Sequence, residues 1–211
     1  QFQHAVHARH EGLTQMKGAT SGTDLQTLAV METLARKAGA AVLRAYREGC
    51  GVSEKADSSP VTDADVEAER IILDGLAAAF PDAPVVAEEE MSAGRDVGDP
   101  GREFFLVDPL DGTREFVKGN GEFTVNIALV RDGAPILGVV LAPVSGRLFA
   151  GAPGHAERVE LDDAMQEQAR RRISVRVCGP IPTIVASRSH GTPETDRYIA
   201  QVKQAELVFV G

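Results

Sequence analysis

The segment from Glu103 to Gly151 constrains this chain most, because it reads as consecutive strands joined by tight turns. From Glu122 to Val130 the apolar residues Phe123, Val125, Ile127 and Leu129 alternate with Thr124, Asn126 and Ala128. That period of two marks a strand with one buried face. Asp132-Gly133 turns the chain into Ala134–Leu141, and Ser145-Gly146 turns it again into Arg147–Gly151, as hairpins require. Glu103–Val107 reads as a buried strand and Pro84–Ala87 as a short one. Two helices are expected before this run. The first spans Asp24–Glu48, with a Thr23/Gln26 capping box, Leu25, Leu28 and Leu34 at helical spacing, and Gly49 at its exit. The second starts at Thr62 and ends before Pro81, with Val66, Leu73, Leu76 and Phe80 facing inward. Between them, Gly51–Pro60 reads as a turn or hairpin-like loop. Helices followed by a meander predict α+β layers, not a doubly wound sheet.

After Gly154 the spacing predicts an amphipathic helix over Leu161–Arg172, a helix over Thr192–Gln204 and a strand over Glu206–Val210. The Arg170-Arg171-Arg172 run reads as a solvated helix end favoured by the macrodipole rather than an anion site. The first residues, 1–23, read as a flexible tail; His4, His7 and His10 are not taken as a metal site, and no signal peptide or membrane span is seen there. A formal charge of −9 over 211 residues argues against a nucleic-acid polymer as partner, since that needs a basic surface. Cys50 and Cys178 lie far apart without CxxC spacing. A disulfide framework or zinc site is therefore not expected, and a cytoplasmic location is.

The chemistry concentrates in Asp108-Pro109-Leu110-Asp111-Gly112-Thr113. An apolar strand delivers Asp108, Pro109 stiffens the turn, and Asp111 returns to the same side. Two carboxylates this close repel unless a divalent cation lies between them, and magnesium suits such all-oxygen ligation. The free N–H groups of the Gly112-Thr113 turn could hold a phosphate. The plain alternative is a tight Asx-type turn. The D-x-D-G-T signature of haloacid dehalogenases does not fit, because here the aspartates are three residues apart. Glu88-Glu89-Glu90 follows a short strand and reads as either a solvated loop or a ligand source. Thr62 and Asp65 have the spacing of a capping box.

Taken together, Lys55 to Asp65, Val86 to Glu89, Asp108 to Thr113 and Ser187-Arg188-Ser189-His190 resemble, in order and spacing, the inositol-monophosphatase superfamily. The S-P-V-T of the first block, Arg114-Glu115-Phe116 and Gly121 to Asn126 resemble its bacterial 3′(2′),5′-bisphosphate nucleotidases. The resemblance covers most of the chain from Asp24 onward. It implies a layered αβαβα sandwich and a Mg²⁺-dependent, lithium-sensitive phosphomonoesterase. The implied substrate is a small nucleotide bisphosphate, 3′-phosphoadenosine 5′-phosphate, attacked by a metal-activated water. By the same resemblance Glu88, Asp108, the Leu110 carbonyl and Asp111 are metal ligands, with Asp65 supporting a further metal. Glu88, Thr113 and Asp65 orient the water. Gly112 and Thr113 hold the scissile phosphate, and Lys55, Ser187, Arg188 and His190 contact substrate. For Ser187 to His190 the alternative is a polar loop capping the following helix.

The family's later W-D-x-A-A-G-like block, with its metal aspartate, has no counterpart in these residues, which include no tryptophan. The expectation is a metal-binding phosphatase domain over 24–154 and, over 155–211, the start of a C-terminal α/β substrate-binding domain with its last layers incomplete. Other activities in view are an inositol-phosphate or fructose-1,6-bisphosphate phosphatase, or a fragment that binds metal and nucleotide without turnover.

Overall fold

The computed structural model describes residues 21–54, 60–188, 191–202 and 204–210. Its elements begin with helix α1 (Gly22–Glu48), the hairpin strands β1 (Val52–Glu54) and β2 (Pro60–Thr62), helix α2 (Asp63–Ala79), strand β3 (Val85–Ala87) and the short helix α3 (Glu88–Ser92). Then come β4 (Glu103–Asp111), the short helix α4 (Thr113–Lys118), β5 (Thr124–Arg131), β6 (Ala134–Ala142), β7 (Arg147–Ala152), β8 (His155–Leu161) and β9 (Glu167–Arg172). The chain closes with β10 (Thr183–Ser187), α5 (Pro193–Ile199) and β11 (Glu206–Val210).

Strands β3 to β9 form one seven-stranded sheet in chain order. Only the β3–β4 pairing is parallel; the rest is the antiparallel meander that the turn residues predict. Helix α1 lies across β5, β6 and β7, and α2 packs beside it on β4. The core is the apolar face of each element. Met31, Leu34, Ala38 and Val42 on α1 and Ala68, Ile72 and Leu76 on α2 meet Phe105, Val107, Val125, Ile127, Val139, Leu141 and Leu148 from the sheet. Their helical spacing and strand alternation direct them to one side.

Several expectations need correction. The cap of α1 is Ser21 with Asp24, not Thr23 with Gln26. Asp24 is drawn into that role on a site already shared with Arg131 of β5, 3.4 Å away. Leu25 and Val66 point to solvent, Val66 at 57% exposure, while Ala64, Ala68 and Ile72 take the inner face of α2. The segment expected to be a helix over 161–172 is instead the end of β8, a turn and β9. Helix-forming residues yield here because Asp162 Oδ1 accepts from the Ala164 and Gln166 N–H groups, both at 2.9 Å, and Met165 takes a left-handed conformation that closes the turn. Arg170 then bonds Glu32 of α1, Glu157 of β8 and Glu167, which fixes β9 on the sheet. The meander therefore runs across Gly154 without a break, and the next change of layer follows Arg172. Strands β10 and β11 form a separate parallel pair, and α5, capped by Thr192, ends at Ile199 rather than Gln204. Among the described residues no helix is long and apolar enough to cross a membrane.

Gly39 sets the approach of α1 to β6. A Cβ there would lie 2.3 Å from Leu141 Cδ2, and Leu141 is fully buried. Gly39→Val is expected to cost about 1–3 kcal/mol by overpacking, measured by urea denaturation. An unchanged midpoint would show that Leu141 has room to move.

Candidate functional site

The site forms where β4 ends beside the start of α2. Strand β4 pairs with β5 in regular register to Asp108–Asn126, then shifts before Asp111–Thr124. Pro109 has no N–H to give the ladder, so the shift falls there. Gly112 follows with φ 95°. A Cβ at Gly112 would come within 3.0 Å of the Glu122 carbonyl oxygen and 3.3 Å of Phe123 Cα. Only glycine fits both the left-handed conformation and this approach. Below the loop, Tyr46, Phe116 and Phe123 form a triangle of rings with centroids 5.0–5.5 Å apart, fixing α4 and the Glu122-Phe123 segment to the end of α1.

Asp65 joins the two elements. It is fully buried. Its Oδ2 accepts from the Thr62 N–H at 2.7 Å and from the Thr62 hydroxyl, the expected capping box. Its Oδ1 accepts from Thr113 Oγ1 at 3.0 Å, which lies equally close, 3.1 Å, to the Leu110 carbonyl oxygen. A hydroxyl has one proton, so donation to Asp65 leaves the Leu110 carbonyl available as an oxygen ligand.

Asp108 sits among acids. Burial, then the charges of Glu88 and Asp111, push its carboxyl up to about 8, against the pull of the Leu110 N–H. Its Oδ1 is buried with no hydrogen-bond partner. Among the described residues no three acidic, histidine or cysteine side chains already stand in metal-ligating geometry. Asp108 and Glu88 nevertheless stand within hydrogen-bonding reach of each other, carboxyl to carboxyl. An all-oxygen set with an orphaned buried carboxylate oxygen fits a hard divalent cation.

Glu88 begins α3. The sequence reading missed what places it there. Glu69, only 4% exposed, accepts from the backbone N–H groups of Glu89 at 2.8 Å and Glu90 at 2.9 Å. Burial raises the Glu69 pKa, and Glu90 and Glu88 add to this, while the two N–H groups oppose it. Its position four residues after Asp65, on the same helical face, was a usable signal. Asn126, opposite Asp108, was also missed; its Nδ2 approaches Asp111 Oδ2 at 3.5 Å.

The expected substrate residues are less gathered. Ser187 ends β10. Arg188 is not presented to a phosphate: its Nη1 and Nη2 bond Glu122 at 2.8 and 3.3 Å, and Nη2 also bonds the Phe209 carbonyl. That pair brings β10 to the segment packed on Gly112. Lys55 and His190 lie outside the described residues.

In cation-free protein, a carboxyl raised to about 8 from an unfolded value near ~3.9 keeps its proton longer in the folded state. The contribution of Asp108 to stability is then full below about pH 4 and is lost as the pH rises from ~4 to ~8. Thermal unfolding in chelator is expected to show this as a difference between wild type and Asp108→Asn that changes over that pH range. An equal slope in both proteins would place the strain elsewhere.

Comparison with known proteins gives a consistent picture. A model of the inositol monophosphatase family matches residues 24–205. The 3′(2′),5′-bisphosphate nucleotidase CysQ of Escherichia coli (strain K12) is 44% identical over 180 residues, 84% of this chain and 70% of that protein. CysQ of Buchnera aphidicola is 37% identical over 183 residues, 84% of this chain and 65% of that protein. The crystal structure of CysQ from Bacteroides thetaiotaomicron superposes with a TM-score of 0.69 at 34% identity, covering 88% of this chain and 73% of that one. The suhB protein of Bartonella henselae gives 0.67 at 28% identity, covering 88% and 70%.

Proposed function

Because this chain belongs to the inositol monophosphatase family, we propose that it is a Mg²⁺-dependent phosphomonoesterase that hydrolyses the 3′-phosphate of 3′-phosphoadenosine 5′-phosphate to AMP and phosphate. The observation that carries the reading is the buried Asp108 carboxylate, orphaned at Oδ1 and pressed by Glu88 and Asp111. Identity to the CysQ nucleotidases over most of the chain supports the choice of substrate.

Glu88, Asp108, Asp111 and the Leu110 carbonyl hold the cation in this reading, with Asp65 supporting a further one. Magnesium supplies positive charge that offsets the carboxylates and phosphoryl oxygens and acidifies water. Asp65 accepts the hydrogen bond of the Thr113 hydroxyl, so the lone pairs of Thr113 Oγ1 are left to accept from the attacking water and aim it at phosphorus. Glu88 accepts from the same water. The backbone N–H groups of Gly112 and Thr113 bind phosphoryl oxygens. The water oxygen bonds phosphorus as the bond to the ribose oxygen breaks. The ribose oxygen takes a proton from solvent, and the phosphate loses the proton that the water brought.

Ser187, His190 and Lys55 contact the nucleotide in this reading. Arg188 reaches it only by exchanging Glu122 for a substrate phosphate. The free thiols Cys50 and Cys178 suit the cytoplasm that we assign.

Phosphate release over a panel of phosphomonoesters tests the reading. Turnover should require Mg²⁺ and stop in chelator, and 3′-phosphoadenosine 5′-phosphate should exceed inositol 1-phosphate in kcat/KM by at least ~10-fold, about 1.4 kcal/mol. Thr113→Ala should lower kcat by ~10²–10⁴-fold and, by leaving Asp65 Oδ1 without its donor, also lower the unfolding temperature, so kcat is compared at a temperature where circular dichroism shows both proteins folded. Activity undiminished in chelator would sink the metal-dependent mechanism. A preference for inositol 1-phosphate or fructose 1,6-bisphosphate would reassign the substrate.

A further inference from the structure

Asn126 stands directly opposite Asp108 in the β4–β5 ladder, where partner side chains leave the sheet on the same face, about 4.5–5.5 Å apart at Cβ. Its other ladder neighbour is Val140 of β6, and Val125 and Ile127 on either side are core residues. Those two face the core, so Asn126 faces the opposite side of the sheet, with Asp108. There it places an amide oxygen, Oδ1, in a buried spot with no hydrogen-bond partner. Such an oxygen costs about 1–3 kcal/mol if nothing satisfies it.

The amide cannot relieve this by turning over. Its Nδ2 is 3.5 Å from Asp111 Oδ2, and a turned amide would set a carbonyl oxygen against that carboxylate. The result is two orphaned buried oxygens on paired residues, Asp108 Oδ1 and Asn126 Oδ1. When Asp108 is ionised both oxygens are acceptors only, and two acceptors facing the same side call for a shared positive partner rather than for each other.

We propose that Asn126 belongs to the cation site, its amide oxygen facing the divalent cation held by Asp108 and its N–H orienting Asp111. The inference rests on the metal-dependent reading above. A neutral oxygen suits the position, because Glu88, Asp108 and Asp111 already concentrate negative charge there. An additional carboxylate would deepen the repulsion whenever the cation leaves.

Calorimetric titration of Mg²⁺ and Mn²⁺ into the chelator-treated full chain tests this, paired with thermal unfolding in chelator and in Mg²⁺. Asn126→Leu should weaken Mg²⁺ binding by ~10–100-fold. In chelator its unfolding temperature should equal or exceed that of the wild type, because an unsatisfied oxygen has gone. Asn126→Asp should move both readouts the other way, binding Mg²⁺ more tightly and unfolding earlier in chelator. If Asn126→Leu does not fold, Asn126→Ala is titrated in its place, with the same weakening expected. Wild-type affinity in the Leu or Ala variant overturns this inference alone, as does a loss of cation-free stability large enough to explain the weaker binding. A wild-type chain that binds neither cation sinks the metal-dependent reading and this inference with it.

Discussion

The hydrogen-bonded chain from Thr62 through Asp65 to Thr113 joins what would otherwise be separate pieces. One oxygen of a buried carboxylate finishes the N-terminus of α2, and the other receives a hydroxyl from the start of α4. The capping bond gives the helix its beginning. The second bond carries that fixed point 48 residues along the chain, to the loop where the acidic residues gather. Because Asp65 is excluded from water, both bonds are made in a low-dielectric setting where an unmet acceptor would be costly. The placement of α2 on the sheet and the placement of Thr113 near Leu110 are therefore one constraint.

Glu69 extends the same logic one turn further along α2. It receives the N–H groups that open α3, so a single helical face addresses two loops, Asp65 the one after β4 and Glu69 the one after β3. Since β3 and β4 are parallel neighbours, both loops leave the sheet at the same end, and α2 spans them. This supports acidic residues in the loops at positions that mutual repulsion would otherwise spread apart.

Much of this was legible in the sequence, for physical reasons. The meander announced itself because strand alternation and Asp-Gly and Ser-Gly turns are local signals, and the Thr62–Asp65 cap is local as well. Segment 161–172 was misread because its helix propensity is also local, whereas the contacts that overrule it, Arg170 with Glu32 and Glu157, join distant residues. Asn126 looked like an ordinary polar member of an alternating strand; only the register across from Asp108 gives it meaning. Arg188 was read as a donor for a ligand, and its engagement by Glu122, 66 residues away, had no sequence signature. The parallel β10–β11 pair escaped notice at β10, where Thr183–Ser187 is short and flanked by loop residues.

The β4–β5 register carries a consequence of its own. Even-numbered and odd-numbered positions on these strands serve different masters: Phe105, Val107, Val125 and Ile127 fill the core, while Asp108 and Asn126 share the opposite side. A slip of one position would swap the two sets at once, driving the polar pair into the apolar core and turning the apolar set to the other face. A length change within either strand is absorbed only where a bulge can take it up, as at Asp108/Asp111 and Leu129/Val130. Drift by substitution remains open to this sheet, whereas drift by insertion or deletion is confined to the turns and to those bulges.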